Sequence, residues 1–318
     1  SASLLESSRF KTLLSTSAAL ALSECHQPST INHQPFAMNL TAPSEVKALL
    51  AELDFRPSKV LGQNFLIDSN ILKMLLATAD LRPDDAVIEI GPGLGVLTEC
   101  LTRDAGRVVA IEKDRRLAAY LKERFRETRN LELIEADALE VDLDKLLAGG
   151  CSKVVANLPY SVASRLLVNL AEAPHRPKKM VVTIQNEVAD RLTARADTDD
   201  YGLISVLLQL RYGISLRKEV SPSCFYPPPE VKSAIVNMVL RELPEEPRDY
   251  DQLKHLLKLC FSKRRKQLGG VLRKNFAHFD AVLAQQQLDP QSRAETLSPE
   301  QWVRLSNGLY SKAGEPGA

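Results

Sequence analysis

Four short stretches of the chain carry side chains that could do chemistry together. Residues 89–95 read Glu-Ile-Gly-Pro-Gly-Leu-Gly, three glycines at alternate positions after an apolar run. Glycine has no Cβ, so such a turn lets the backbone bend sharply and lets a ligand come close. Glu112 ends the run Val108-Val109-Ala110-Ile111, 21 residues beyond Gly91 (112 − 91). A carboxylate at that strand end could accept both hydroxyls of a ribose. Asp137 follows the next apolar run and is placed to accept from an exocyclic amine. Asn157-Leu158-Pro159-Tyr160 follows Lys153-Val154-Val155-Ala156. The Asn157 side-chain carbonyl and the Leu158 backbone carbonyl offer two acceptors to one NH2 group. Pro159 pushes Leu158 toward extended geometry, which aims that carbonyl. Tyr160 offers a face on which a base could stack.

The pattern around these residues supplies their supports. Strand-like runs at 86–90, 107–111, 131–135, 154–157 and 180–185 alternate with helical stretches at 94–103, 115–127, 143–148 and 161–172. Two helices precede them, one from Ser44 (with Ser44 as its cap) and one at 69–79, joined through Lys59–Asp68. A helix at 203–210 follows, then strands at 214–220 and 233–241 flanking a proline-rich segment. Strands alternating with helices predict an α/β fold, a parallel sheet with helices on both faces. The tips of such strands are where ligands bind. Beyond a break at 242–251 the pattern is wholly helical. The expected organisation is an α/β domain over 38–241 and a small all-helical domain over 248–313.

Composition narrows the class. The 318 residues carry a net charge of +1, so any basic surface must be local. Five scattered cysteines without a CxxC pair argue for a reducing compartment, hence the cytoplasm, and against a disulfide framework or a zinc site. The histidines show no ligand spacing, so no metal is expected. No apolar run is long enough to span a membrane. Residues 1–37, rich in Ser and Ala, read as a disordered or non-native extension ahead of Met38, with a targeting peptide as the alternative.

A dinucleotide fingerprint would carry its third glycine at position 96, where valine stands. The spacing Glu-x-Gly-x-Gly-x-Gly instead resembles the S-adenosylmethionine (SAM) loop of Rossmann-like class I methyltransferases. Further stretches extend the likeness: Gly62–Leu66, Asn157–Tyr160, Gln185–Arg191, Tyr201–Val206, Phe225–Ser233, Phe261–Leu268 and Arg293–Trp302. Together they resemble the ribosomal RNA adenine N6-dimethyltransferases. The bacterial branch that modifies two adjacent adenines near the 3′ end of small-subunit (16S) rRNA is the most similar. The resemblance implies SAM as cofactor, held by Asn64, Leu66, Gly91, Gly93, Glu112, Asp137 and Asn157. It implies that Asn157, Leu158 and Tyr160 hold the target adenine, with Phe225 stacking on its other side. It also implies action as a monomer on the 30S subunit during ribosome biogenesis.

Two acceptors on the target amine would direct its lone pair at the methyl donor, so positioning rather than a strong base carries the rate. The window 261–274 holds six basic residues (Lys263, Arg264, Arg265, Lys266, Arg273, Lys274) and no acid, the expected RNA-docking patch. Gly269 and Gly270 depart from the family pattern and are expected to loosen a helix start there. One rival lies within the class, and two alternatives lie outside it. The resistance-type enzymes act on large-subunit rRNA, and related organellar proteins act as non-catalytic binding factors. A dehydrogenase is disfavoured by the glycine spacing.

Overall fold

The computed structural model describes residues 39–58, 61–263 and 265–311. The expected extension at 1–37, Arg264 and the last positions of the expected helical domain lie outside the described residues. In chain order the elements are α1 (Pro43–Glu52), β1 (Phe65–Leu66), α2 (Ser69–Ala79), β2 (Ala86–Ile90), α3 (Val96–Asp104) and β3 (Arg107–Glu112). Then come α4 (Arg115–Arg124), β4 (Leu131–Glu135), α5 (Leu143–Ala148), β5 (Lys153–Asn157), α6 (Ala163–Glu172) and β6 (Lys179–Gln185). They are followed by α7 (Asn186–Thr193), α8 (Leu203–Gln209), β7 (Tyr212–Val220), β8 (Phe225–Tyr226) and β9 (Ser233–Leu240). The chain then forms α9 (Tyr250–Phe261), α10 (Leu268–Leu272), α11 (Phe279–Gln285) and α12 (Pro299–Leu309).

Seven strands form one sheet in the order β4-β3-β2-β5-β6-β9-β7. The order reverses between β2 and β5, which opens a crevice at their carboxyl ends. β4, β3, β2, β5 and β6 are parallel, whereas β9 runs antiparallel to both β6 and β7. The expected all-parallel sheet therefore changes character at this edge. A proline-rich return, rather than a helical crossover, joins β7 to β9, and only antiparallel strands can be joined that way.

Side chains alternate across the strands with period two. Ile88, Ile90, Val109, Ile111, Val154 and Ala156 pack on one face with α5, α6 and α8. Val87, Val108, Val155 and Val181 pack on the other with α2 and α3. The first of these buried clusters continues through α8 into α9, α10, α11 and α12. The Tyr201 hydroxyl donates to the Leu297 carbonyl at 2.9 Å, and the Phe261 ring lies 6.3 Å from that of Tyr201 and 5.7 Å from that of Trp302. The helical segment is thus welded to the sheet layer by a shared apolar core.

Three local readings differ from expectation. Ala42, not Ser44, caps α1, because Pro43 with its fixed φ occupies the first helical position. α3 begins at Val96 rather than Leu94, since Gly95 sits at φ +85° in the left-handed region. Gly269 does not loosen its helix. It is buried, and a Cβ there would lie 3.0 Å from the Pro290 carbonyl oxygen, so the glycine is a packing requirement. Gly270 beside it faces open space. Gly269→Ala is therefore expected to lower stability by about 1–3 kcal/mol through overpacking. Gly270→Ala should raise it by about 0.5–1 kcal/mol. Paired thermal melts of the two variants check this contrast.

Candidate active site

The crevice at the β2/β5 switch point holds a cavity of about 260 Å³. Asn64, Leu66, Gly91, Gly93, Glu112, Asp137 and Asn157 all line it. Elements far apart in sequence bring them together. The Gly91 N–H donates to the Ile111 carbonyl at 2.9 Å, tying the glycine turn to the tip of β3. Gly93 sits at φ +61°, and a Cβ there would lie 2.9 Å from the Phe65 ring. The turn can therefore carry no side chain at this position. Residues 62–66 cross over it as a cover.

Glu112 is almost fully buried at the end of β3. Its Oε2 accepts the Gly93 N–H at 3.0 Å and its Oε1 accepts the Asp114 N–H at 2.9 Å. Burial pushes its carboxyl upward from the ordinary carboxylate value, opposed by those two donors. One carboxylate therefore joins the glycine turn to the start of α4. Each oxygen keeps a lone pair for a diol. Asp137 also lines the cavity and is more exposed than Glu112. Its Oδ2 pairs with Lys113 Nζ at 2.7 Å and its Oδ1 accepts the Leu139 N–H at 2.9 Å. The lysine holds this carboxyl below its usual range.

Asn157 ends β5. Its Nδ2 donates to the Asn64 carbonyl oxygen at 3.0 Å. A carbonyl can only accept, so the nitrogen of the Asn157 amide must face it, which decides the amide's orientation. The Oδ1 atom is buried and has no hydrogen-bond partner among the described residues. A buried acceptor left unpaired costs about 1–3 kcal/mol unless something fills it. Leu158 turns its side chain into the core, and neither it nor Tyr160 is among the residues that line the cavity, although Asn157 and Pro159 beside them are. The Leu158 N–H donates to Thr183 O at 3.1 Å.

The hydroxyl of Tyr160 is hydrogen-bonded to Ser233 Oγ at the start of β9. The phenol thus spans from the tip of β5 across the tip of β6, and burial pushes its pKa up. Ser233 is fully buried, so the bond clamps the ring at its far end. Tyr160→Phe and Ser233→Ala are each expected to lower kcat/KM about tenfold, because each leaves a buried hydroxyl unpaired. The double variant should be no worse than either single one. A double-mutant cycle with additive losses would contradict the clamp.

Phe225 departs from expectation. β8 pairs antiparallel with β1, matching Leu66 with Phe225 and Phe65 with Tyr226. In that pairing the Phe225 ring is 2% exposed and belongs to the same buried cluster as Leu66, Leu72 and Val220. It plugs the base of the loop and presents no face to a base in this conformation. Tyr226 is half-buried instead, with Lys47 Nζ 5.5 Å from its ring centroid.

Sequence reasoning assigned no role to Glu89, although it opens the glycine stretch. It lines the cavity, is 1% exposed, and its Oε2 has no hydrogen-bond partner among the described residues. The available signal was a charge inside a central strand. Burial pushes its carboxyl from 4.5 up to about 8. Between those values the native state holds a proton that the unfolded chain has lost. Stability therefore falls as pH rises from about 4.5 to about 8, and levels off above. The Tm advantage of Glu89→Gln over the parent should grow by about 5 °C between about pH 6 and about pH 8. Calorimetry across that range checks the sign.

Away from the cavity, Lys263, Arg265, Lys266, Arg273 and Lys274 are all exposed around α10. The Arg273 guanidinium lies 5.6 Å from the centroid of the Phe279 ring.

The cavity suits SAM on its own chemistry. Positive-φ glycines leave room for close approach, Glu112 presents free lone pairs at a strand tip, and the buried Asn157 Oδ1 and Glu89 Oε2 have no hydrogen-bond partner among the described residues. The model of the ribosomal RNA adenine dimethylase family matches residues 55–310. A ribosomal RNA small subunit methyltransferase A from Alkaliphilus metalliredigens is 39% identical over 283 residues, covering 86% of this chain and 99% of that protein. A protein of the same name from Dehalococcoides mccartyi is 40% identical over 286 residues, covering 87% and 96%. Among solved structures, a dimethyladenosine transferase from Plasmodium falciparum matches with a TM-score of 0.64 at 26% identity, covering 76% of this chain and 95% of that one. The 23S rRNA methyltransferase ErmE matches with a TM-score of 0.60 at 28% identity, covering 78% and 100%. Fold, glycine turn and relatives agree, and the chain belongs to the ribosomal RNA adenine dimethylase family of SAM-dependent methyltransferases.

Proposed function

We propose that the protein dimethylates the exocyclic N6 of two adjacent adenosines near the 3′ end of 16S rRNA, during assembly of the small ribosomal subunit. The carrying observation is Asn157, anchored through Nδ2 to Asn64 and left with a buried, unpartnered Oδ1 at the cavity. An adenine amine supplies the donor that this atom lacks. Bound SAM supplies an electrophilic methyl on its sulfonium. The chain's own part is positional. Asn157 Oδ1 and the Leu158 carbonyl take the two protons of the amine as hydrogen bonds, which turns its lone pair toward the cavity. Tyr160, clamped by Ser233, provides the stacking face. Leu66, Gly91, Gly93, Glu112 and Asp137 hold the cofactor around the same space. No strong base is needed, because the sulfonium is already activated.

The reading divides labour along the chain. Residues 38–241 carry cofactor and chemistry, and 248–313 position the RNA through the basic surface around α10. It has the protein acting as a monomer on the 30S particle in the cytoplasm. Identity to proteins named for the small subunit runs at 39–40%, against 28% to ErmE, which favours the small subunit over the large. The test is methyl transfer from labelled SAM to three substrates: small subunits lacking the dimethyladenines, naked 16S rRNA, and large subunits. Label confined to the paired adenines of the small subunit is expected. Label on large subunits, or on none of the three, overturns the reading.

A further inference from the structure

Gln63 lies in the cover over the glycine turn, beside Asn64. Its half-buried side chain joins two parts of the chain that are 51 residues apart. Oε1 accepts the Ser58 N–H at 2.7 Å, and Nε2 donates to Asp114 Oδ2 at 3.2 Å. A backbone N–H can only donate and an ionised carboxylate can only accept, so both bonds agree on one orientation of the amide. The main chain closes the same turn, with the Gln63 N–H donating to Ser58 O at 3.1 Å.

Asp114 is the hub on the other side. Its Oδ1 accepts the Arg116 and Leu117 N–H groups at 2.9 and 3.3 Å, which caps α4. Its own N–H donates to Glu112 Oε1 at 2.9 Å. Gln63 therefore reaches the Glu112 carboxylate through a single residue. Arg116 adds a second tie. Its guanidinium donates to the Leu53 and Asp54 carbonyls, each at 2.6 Å, and lies 5.5 Å from the centroid of the Phe55 ring. The first turn of α4 thus grips the covering chain twice, at 53–55 and at 63. Residues 61–66 and 112–114 all line the cavity.

We infer that Gln63 is a positioning residue for the cofactor. It latches the cover to the first turn of α4, and so fixes the spacing between the cover and Glu112 around bound SAM. It acts through Asp114 and the covering main chain, not on the reacting atoms. The task needs one acceptor and one donor at the end of the same side chain. Glutamate supplies no donor, lysine and arginine supply no acceptor, and asparagine is a methylene shorter. The inference rests on SAM occupying the cavity and not on which RNA is methylated.

The test measures Kd and dissociation rate for SAM with the full-length protein, and amide hydrogen exchange of residues 61–66 in the SAM-free protein. Gln63→Leu removes both side-chain bonds and adds no charge. Gln63→Glu keeps the Ser58 bond but sets a carboxylate against Asp114. Asp114→Asn keeps the cap on α4 through Oδ1 but turns an NH2 toward the NH2 of Gln63. Each should raise Kd for SAM about tenfold, mostly through faster dissociation, and should speed exchange across 61–66. In Gln63→Glu/Asp114→Asn the donor and the acceptor trade places. SAM affinity and exchange should then return to within about twofold of the parent, far from the product of the single losses. Unchanged Kd in all three single variants overturns the latch, even where the Tm of the SAM-free protein falls, because the bond then serves stability alone. An exchanged pair as weak as the product of its single losses overturns it too. None of these readouts contains RNA, so the latch and the proposed methylation target stand or fall separately.

Discussion

Asn157→Ala should reduce methyl transfer about 1,000-fold, about 4 kcal/mol of transition-state stabilisation, while weakening SAM binding far less. The alanine removes a buried, unpartnered acceptor at the cavity wall, so on the proposed reading the adenine amine loses its orienting bond. It also leaves the Asn64 carbonyl without the Nδ2 donor it now accepts. The second effect loosens the cover over the glycine turn, and the small loss in SAM affinity comes from there. Single-turnover transfer at saturating SAM, set beside calorimetric Kd for SAM, separates the two effects. Equal losses in both would move the residue's main work to the cofactor and remove the central support for amine positioning.

Glu112→Gln should cost the cofactor site most. The carboxylate accepts from the Gly93 and Asp114 backbone N–H groups with its two different oxygens. A glutamine keeps one acceptor, so one of those N–H groups must face an NH2. The glycine turn and the N-terminus of α4 then lose their common tie, and the remaining lone pairs for a diol are halved. Hydrogen bonds to charged groups are worth about 1.5–3 kcal/mol each, so Kd for SAM should rise about 100-fold. At saturating SAM the KM for RNA should be unchanged, because Glu112 lies at the cofactor side of the cavity. A variant that binds SAM as tightly as the parent would show that the carboxylate serves only the turn.

The sheet and the cofactor side of the site were legible in the sequence for a physical reason. Each strand of a parallel sheet is covered on both faces, so it reads as a short apolar run, and the runs at 86–90, 107–111 and 154–157 stand out. Glycine, acid and amide then fall at the run ends, where a switch point must expose them. Other features had no periodic signal. β1 and β8 span two residues each and exist only because residues 65–66 and 225–226 meet across the fold. α7 was read as a motif and not as a helix. The burial of Phe225 follows from that same pairing, which fills its place with core rather than solvent.

By itself, the sequence determined the α/β alternation, the glycine turn, the acids and amide at the strand tips, and the family to which they belong. These are local matters of side-chain type and spacing, written in consecutive residues. Only the tertiary structure decided which atom of Asn157 faces the cavity, because a carbonyl 93 residues away supplies the constraint. It alone joined Tyr160 to Ser233, made Gly269 a packing necessity beside Pro290, and latched Gln63 to Asp114. Such contacts depend on long-range packing, and no window of sequence contains both of their partners.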